Sequence, residues 1–202
     1  MRKAKVLIAA ATAIWAMSGT VQALNLSGTG AHFKKARAGL IREGGWSVSP
    51  MGHVMFCQAR PAECRKPSLV HVTRVSMTGG RFAALQTINT AVNRAIIPLN
   101  DRSGPGVIDQ WSLEPRAGDC EDFAITKRHR LIAAGWPASA LRLAIGRLPS
   151  GEGHAVLIAR TDKGDYVLDN RTDDIRPWRQ TDIRWLSMQS GANPQFWRSI
   201  TG

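Results

Sequence analysis

Residues 141–169 constrain the fold most. Leu141-Arg142-Leu143-Ala144-Ile145, His154-Ala155-Val156-Leu157-Ile158-Ala159 and Tyr166-Val167-Leu168-Asp169 are three apolar runs of strand length. The last two are joined by Thr161-Asp162-Lys163-Gly164-Asp165, a hairpin turn containing glycine, which makes them antiparallel neighbours. Upstream the period changes. Phe82, Leu85, Ile88, Val92 and Ile96 recur at spacings of three and four, which predicts an amphipathic helix from Arg81 to about Ile97, stopped by Pro98. A second helix is expected after Asp119, with Asp119 as N-cap and Asp122 completing a capping-box-like pair. Lys127, Arg128 and Arg130 lie where cations complement the helix dipole. Gly135 suits the position after the C-cap, and Pro137 blocks continuation. Leu69–Val75 reads as a short strand and residues 98–118 as a loop carrying Trp111. Residues 24–50 read as a loosely structured entry wrapping the core. The tail from Arg171, with Trp178, Trp185 and Trp197, shows no clear period. Helices first and an antiparallel sheet after them define the α+β class.

The 202 residues carry 27 Lys+Arg against 15 Asp+Glu, a formal net charge of +12. Such a balance points to an anionic partner: nucleic acid, a membrane surface or a cell-wall polymer. The 44% hydrophobic and 21% charged content excludes a wholly disordered or collagen-like chain. The N-terminus redirects the charge argument. Arg2, Lys3 and Lys5 precede the apolar run Val6–Met17, and Val21-Gln22-Ala23 follows as a small-residue cleavage pattern. Residues 1–23 thus read as a secretory signal peptide, with an apolar run too short to span a membrane comfortably. Residues 24–202 would form a single exported domain, periplasmic or secreted, with no membrane span after cleavage. Cleavage removes three cations and leaves +9. Export argues against nucleic acid as the partner.

An oxidising compartment changes the meaning of the three cysteines. Cys57 and Cys64 are close enough for a small disulfide-closed loop, which the compartment favours over two free thiols. Cys120 is then left alone, either buried and inert or reactive. It falls in the first turn of the second helix, where N–H groups and the positive dipole end stabilise a thiolate. His154 begins one strand of the hairpin and Asp169 ends the other, so pairing brings the two to the same side. A nucleophile, a base and an orienting acid are the parts of covalent acyl transfer. The blander readings are a buried cysteine, a satisfied strand-end histidine and a turn aspartate. His32, His53, His71 and His129 have no comparable context and read as structural or surface residues.

Three stretches carry a resemblance. Gly118-Asp119-Cys120-Glu121-Asp122, Gly153-His154-Ala155-Val156-Leu157 and Tyr166-Val167-Leu168-Asp169-Asn170 occur in an order and spacing similar to the bacterial transglutaminase-like cysteine peptidases, which include the LapG-like periplasmic proteases. Val92-Asn93 and Asp109-Gln110-Trp111 resemble the family's approach to its catalytic helix, and Phe56-Cys57 with Cys64 its N-terminal cysteine pair. The likeness covers roughly residues 50–178. It implies a papain/transglutaminase-like fold, with the Cys120 helix packed on an antiparallel sheet bearing His154 and Asp169. It also implies peptide-bond hydrolysis through a Cys120 thioester, and calcium held by Asp119, Glu121 and Asp122. For particular members it implies a large surface adhesin as substrate and an inner-membrane regulatory receptor, which is the biofilm setting. Three carboxylates in four residues repel one another, and a hard dication would relieve this. Yet Asp119 and Asp122 already have capping roles that need no metal, and six to eight oxygens would require ligands from elsewhere. For the oxyanion, the Cys120 N–H is one candidate donor and Gln110 or Trp111 another, although Trp111 reads more simply as packed aromatic.

The leading expectation is therefore an exported cysteine endopeptidase. The same three residues would serve a transglutaminase or a peptidoglycan-acting amidase or peptidase. A non-enzymatic basic module binding an envelope polymer is the reading from another class.

Overall fold

The computed structural model describes residues 39–66, 72–101 and 109–201. Residues 1–23, read as a signal peptide, and Leu69–His71 of the expected strand lie outside the described residues.

The three apolar runs become β4 (Leu141–Arg147), β5 (Gly153–Thr161) and β6 (Gly164–Leu168). The turn between β5 and β6 is only Asp162-Lys163, with Gly164 at φ 118°, a backbone conformation that favours glycine. Around these strands an antiparallel sheet runs β1-β9-β8-β4-β5-β6-β7, with β1 at Arg42–Ser47, β7 at Arg176–Pro177, β8 at Arg184–Gln189 and β9 at Trp197–Thr201. Its central strands read as near-continuous apolar runs because both faces are covered. Leu141, Leu143, Leu157 and Leu168 pack with Leu85, Ile125 and Leu131 on the helical side. Ala144, Val156, Ile158 and Val167 pack with Ile41, Trp178 and Ile183 on the other.

Among the described residues three α-helices accompany the sheet: α1 (Met51–Ala59), α2 (Gly79–Ala95) and α3 (Cys120–Ala133). Thr78 caps α2 by accepting from the Arg81 N–H at 3.2 Å. The end of α3 is the expected glycine cap: Gly135 has φ 87°, its N–H donates to Ile132 O, and the Trp136 N–H donates to Leu131 O. The Cys57–Cys64 disulfide forms, with Cα atoms 5.4 Å apart, and ties the end of α1 to the following turn.

Several expectations need correction. Within the described part of Leu69–Val75 there is only an isolated bridge, Val75 with Thr161. The entry segment is not loose throughout. Glu43, on β1, accepts from Arg142 and, at 2.7 Å, from Arg160, while the Ile41 N–H donates to Asp165 at 2.7 Å. The 98–118 loop is pinned at its ends by a short parallel pair, β2 (Ile97–Pro98) with β3 (Ala117–Gly118). Lys127 and Arg128 are not dipole-complementing surface cations. Lys127 is fully buried, and Arg128 donates to Leu141 O and Glu63 O.

Candidate functional site

A cleft of about 890 Å³ opens where the N-terminus of α3 meets β4 and β5, and Cys120 and His154 both line it. Cys120 is the first helical residue, so its side chain sits at the positive end of α3. Its Sγ accepts the Ala155 N–H at 3.2 Å and lies 3.3 Å from Glu121 Oε2, to which the thiol donates. His154 is buried. Its Nε2 lies 2.9 Å from Asp169 Oδ1, which leaves Nδ1 as the ring nitrogen open to another partner. The hairpin register accounts for this meeting: Leu157 pairs with Leu168, so the start of β5 and the end of β6 fall at one end of the sheet.

The structure thus places the thiol beside the strand that carries His154 and joins His154 to Asp169. The thiol is directed at Glu121, not at the imidazole. Burial pushes the Cys120 thiol far up, and the carboxylates of Glu121 and Asp119 push it the same way, outweighing the Ala155 N–H. Asp169 behaves oppositely. Burial pushes it up, but hydrogen bonds from His154 and Arg171 hold it well below the ordinary carboxylate range.

The acidic residues around Cys120 divide differently from the expectation. Asp119 and Glu121 converge with Asp101 and Asp109, so that one oxygen of each lies within 4.8 Å of the others. Asp122 is not in this group. Its Oδ1 accepts the Ser112 N–H at 2.6 Å, and burial raises it to about 7. Asp119 does not act as a side-chain cap; its Oδ2 accepts the Asp101 N–H at 3.1 Å. Burial, then the adjacent Asp119 carboxylate, raises the Glu121 carboxyl. Asp119 Oδ1 and Glu121 Oε1 are buried without hydrogen-bond partners. Four convergent carboxylates with two orphaned oxygens fit a hard, oxygen-seeking dication.

The sequence reading missed Asp101 and Asp109, which join the cluster only through the path of the 98–118 loop. The Asp109-Gln110-Trp111 match was the available signal. Trp111 is buried, and its indole N–H is committed to Asp109 Oδ2 at 2.8 Å. Gln110 is exposed, and its N–H goes to Asp101.

A helix that starts at a cysteine, packed on an antiparallel sheet that carries a His–Asp pair, is a transglutaminase-like arrangement. The chain belongs to the bacterial transglutaminase-like cysteine proteinase family, whose model matches residues 43–202. Among solved structures it is similar to calcium-bound LapG of Legionella pneumophila, at 24% identity and TM-score 0.48, covering 56% of this chain and 66% of that chain, just under two-thirds. A second LapG structure from that organism aligns at 21% identity and TM-score 0.47, covering 70% and 82%. An EGTA-treated one aligns at 21% and 0.44, covering 71% and 83%. Comparison with curated proteins gave no match.

Proposed function

We propose that this chain is an exported cysteine endopeptidase in which Cys120 is the nucleophile, His154 the general acid–base and Asp169 the group that orients His154. The observation that carries this reading is the buried His154–Asp169 pair, with His154 on the strand whose Ala155 N–H holds Cys120 Sγ and with Cys120 and His154 lining one cleft. Asp169 accepts from His154 Nε2 and fixes the tautomer and ring orientation. Nδ1 takes the thiol proton as Sγ attacks the scissile carbonyl carbon. The Cys120 backbone N–H would stabilise the oxyanion. Collapse breaks the C–N bond, and the departing amine takes the proton from Nδ1. A water then gives a proton to Nδ1 and its hydroxide to the thioester carbon. The thiolate leaves and recovers the proton.

Asp101, Asp109, Asp119 and Glu121 would hold calcium, in keeping with the LapG structure described as calcium-bound. Bound there, the cation would offset the carboxylate charge that adds to burial in raising the thiol. The Arg2–Ala23 pattern supports export to the periplasm or beyond, with residues 24–202 as one domain. A cell-surface protein such as an adhesin, under an inner-membrane receptor, is the substrate setting the family resemblance supports. Among the described residues no helix is long and apolar enough to cross a membrane.

The test compares envelope proteins from cells making the native chain with those from cells making Cys120→Ala or His154→Ala, by mass spectrometry with a primary amine present. New N-termini that need both residues are expected, with each substitution lowering their appearance by about 10³-fold or more. Amine-conjugate masses without new N-termini would make the chain a transglutaminase. New peptidoglycan stems would make it a wall hydrolase. The absence of all three products would sink the enzymatic reading.

A further inference from the structure

Asp169 has more acceptor capacity than His154 uses, and the remainder goes to one residue. Its Oδ1 accepts from His154 Nε2 at 2.9 Å, from the Arg171 backbone N–H at 2.9 Å and from Arg171 Nε at 3.3 Å. Its Oδ2 accepts from Arg171 Nε at 3.0 Å and Nη2 at 2.8 Å. Among the described residues, the side-chain hydrogen bonds to this buried carboxylate other than the one from His154 all come from Arg171. On its far side the same guanidinium holds Asp182, through Nη1 at 3.1 Å and Nη2 at 2.8 Å. Arg171 lines both the Cys120 cleft and a second cleft of about 410 Å³ behind Asp169, so it forms part of the wall between them.

The backbone beneath is held separately. Asn93 Nδ2, on α2, donates to Asp169 O at 3.2 Å and Thr172 O at 3.0 Å, and Asn89 Nδ2 donates to Thr172 O at 3.0 Å. These amides fix where residue 169 sits, but not how its carboxylate is turned. A planar guanidinium with fork geometry can set that rotation, and a point-charge ammonium cannot.

We propose that Arg171 is the positioning residue of the acid arm, with Asp182 as its outer anchor, turning Asp169 so that one Oδ1 lone pair faces His154. This rests on the peptidase reading of Cys120, His154 and Asp169. Without the fork the carboxylate rotates, the imidazole loses its fixed orientation, and the thiolate–imidazolium pair forms less often.

The test needs no substrate. With Cys57 and Cys64 in a disulfide, Cys120 is the only free thiol of the three cysteines, so its alkylation by iodoacetamide in calcium-containing buffer reports the reactive pair. Arg171→Ala is expected to slow alkylation on the order of 10- to 100-fold, the scale set by misorientation. Arg171→Lys should fall between Arg171→Ala and the native chain. Free guanidinium ion should restore part of the rate in Arg171→Ala but not in His154→Ala. Asp182→Asn, at an exposed position, should keep the native melting temperature and slow alkylation about threefold, because half of the clamp remains. If His154→Ala is slow while Arg171→Lys and Asp182→Asn match the native chain, the positioning role is wrong. It is equally wrong if Arg171→Ala is slow, melts early and gains nothing from guanidinium. If His154→Ala alkylates like the native chain, the peptidase reading itself fails.

Discussion

Burial decides the charge of His53. It is 1% exposed, and its Nδ1 lies 3.2 Å from the Trp197 indole nitrogen, which can only donate. Burial, then the nearby Arg128 charge, lowers its pKa from 6.5 to about 4. A histidine whose folded pKa is depressed favours the neutral form. Its contribution is fully present above about pH 6.5 and is lost as pH falls through 4. The size is about 3 kcal/mol at most. Urea unfolding across this range should show His53→Gln losing much less stability between pH 7 and pH 4 than the native chain. Equal slopes would show that His53 is not the acid-labile group. The positions of Cys120, His154 and Asp169 at the ends of elements were legible because the sequence pattern marks those boundaries. Asp101 and Asp109, and the true surroundings of Lys127, were not, because those depend on which neighbours the chain brings back in space. Lys127 has the spacing of a surface helix cation, yet its Nζ is buried 5.8 Å from the Phe123 ring centre.

At the scale of elements, the start of α3 turns on Gly118. It does not appear among the residues with positive φ, so conformational freedom is not what requires it. A Cβ at this position would overlap the Asp122 carboxylate, which approaches closely in order to accept the Ser112 N–H. Gly118→Ala should therefore displace Asp122, leave the Ser112 N–H unpaired and cost about 1–3 kcal/mol, measured by chemical denaturation. Gly118→Ala combined with Asp122→Ala should recover part of the loss; no recovery would place the cost elsewhere. The helices and the β4–β6 core were legible because each carries its period over a long stretch. Strands β8 and β9 were not, although they complete the sheet. The β4–β8 register shifts between Ile145 and Gly146, so β8 shows no clean alternation, and Trp197 is buried under α1 by contact with His53. Strand β1 contains Gly44-Gly45, and a register shift against β9 between Glu43 and Trp46 removes the two-residue pattern there as well.

Across the whole molecule, charge is distributed against its average. The chain is basic at +12, yet Asp101, Asp109, Asp119, Glu121 and Asp122, a third of its 15 acids, gather beside one thiol. Folding holds these groups together at a cost that rises with pH. A carboxyl whose folded pKa is raised contributes stability below its unfolded pKa and loses it as pH climbs through the folded one. For Asp122, raised from 3.8 to about 7, this loss falls between about pH 4 and 7. A dication that binds Asp101, Asp109, Asp119 and Glu121 would act in the opposite sense, because it needs them ionised. Calcium at about 100 times its dissociation constant stabilises the folded state by about 2.7 kcal/mol, or about 5–10 °C in melting temperature for a chain this size. Melting the full chain with calcium or with EGTA should give that difference at pH 8 and a smaller one at pH 5, where protons compete for the same oxygens. Asp109→Asn, at an exposed position, should abolish the calcium shift without lowering the melting temperature in EGTA. A calcium shift that survives Asp109→Asn would place the ion elsewhere, and no shift at pH 8 would leave the four carboxylates without a metal role.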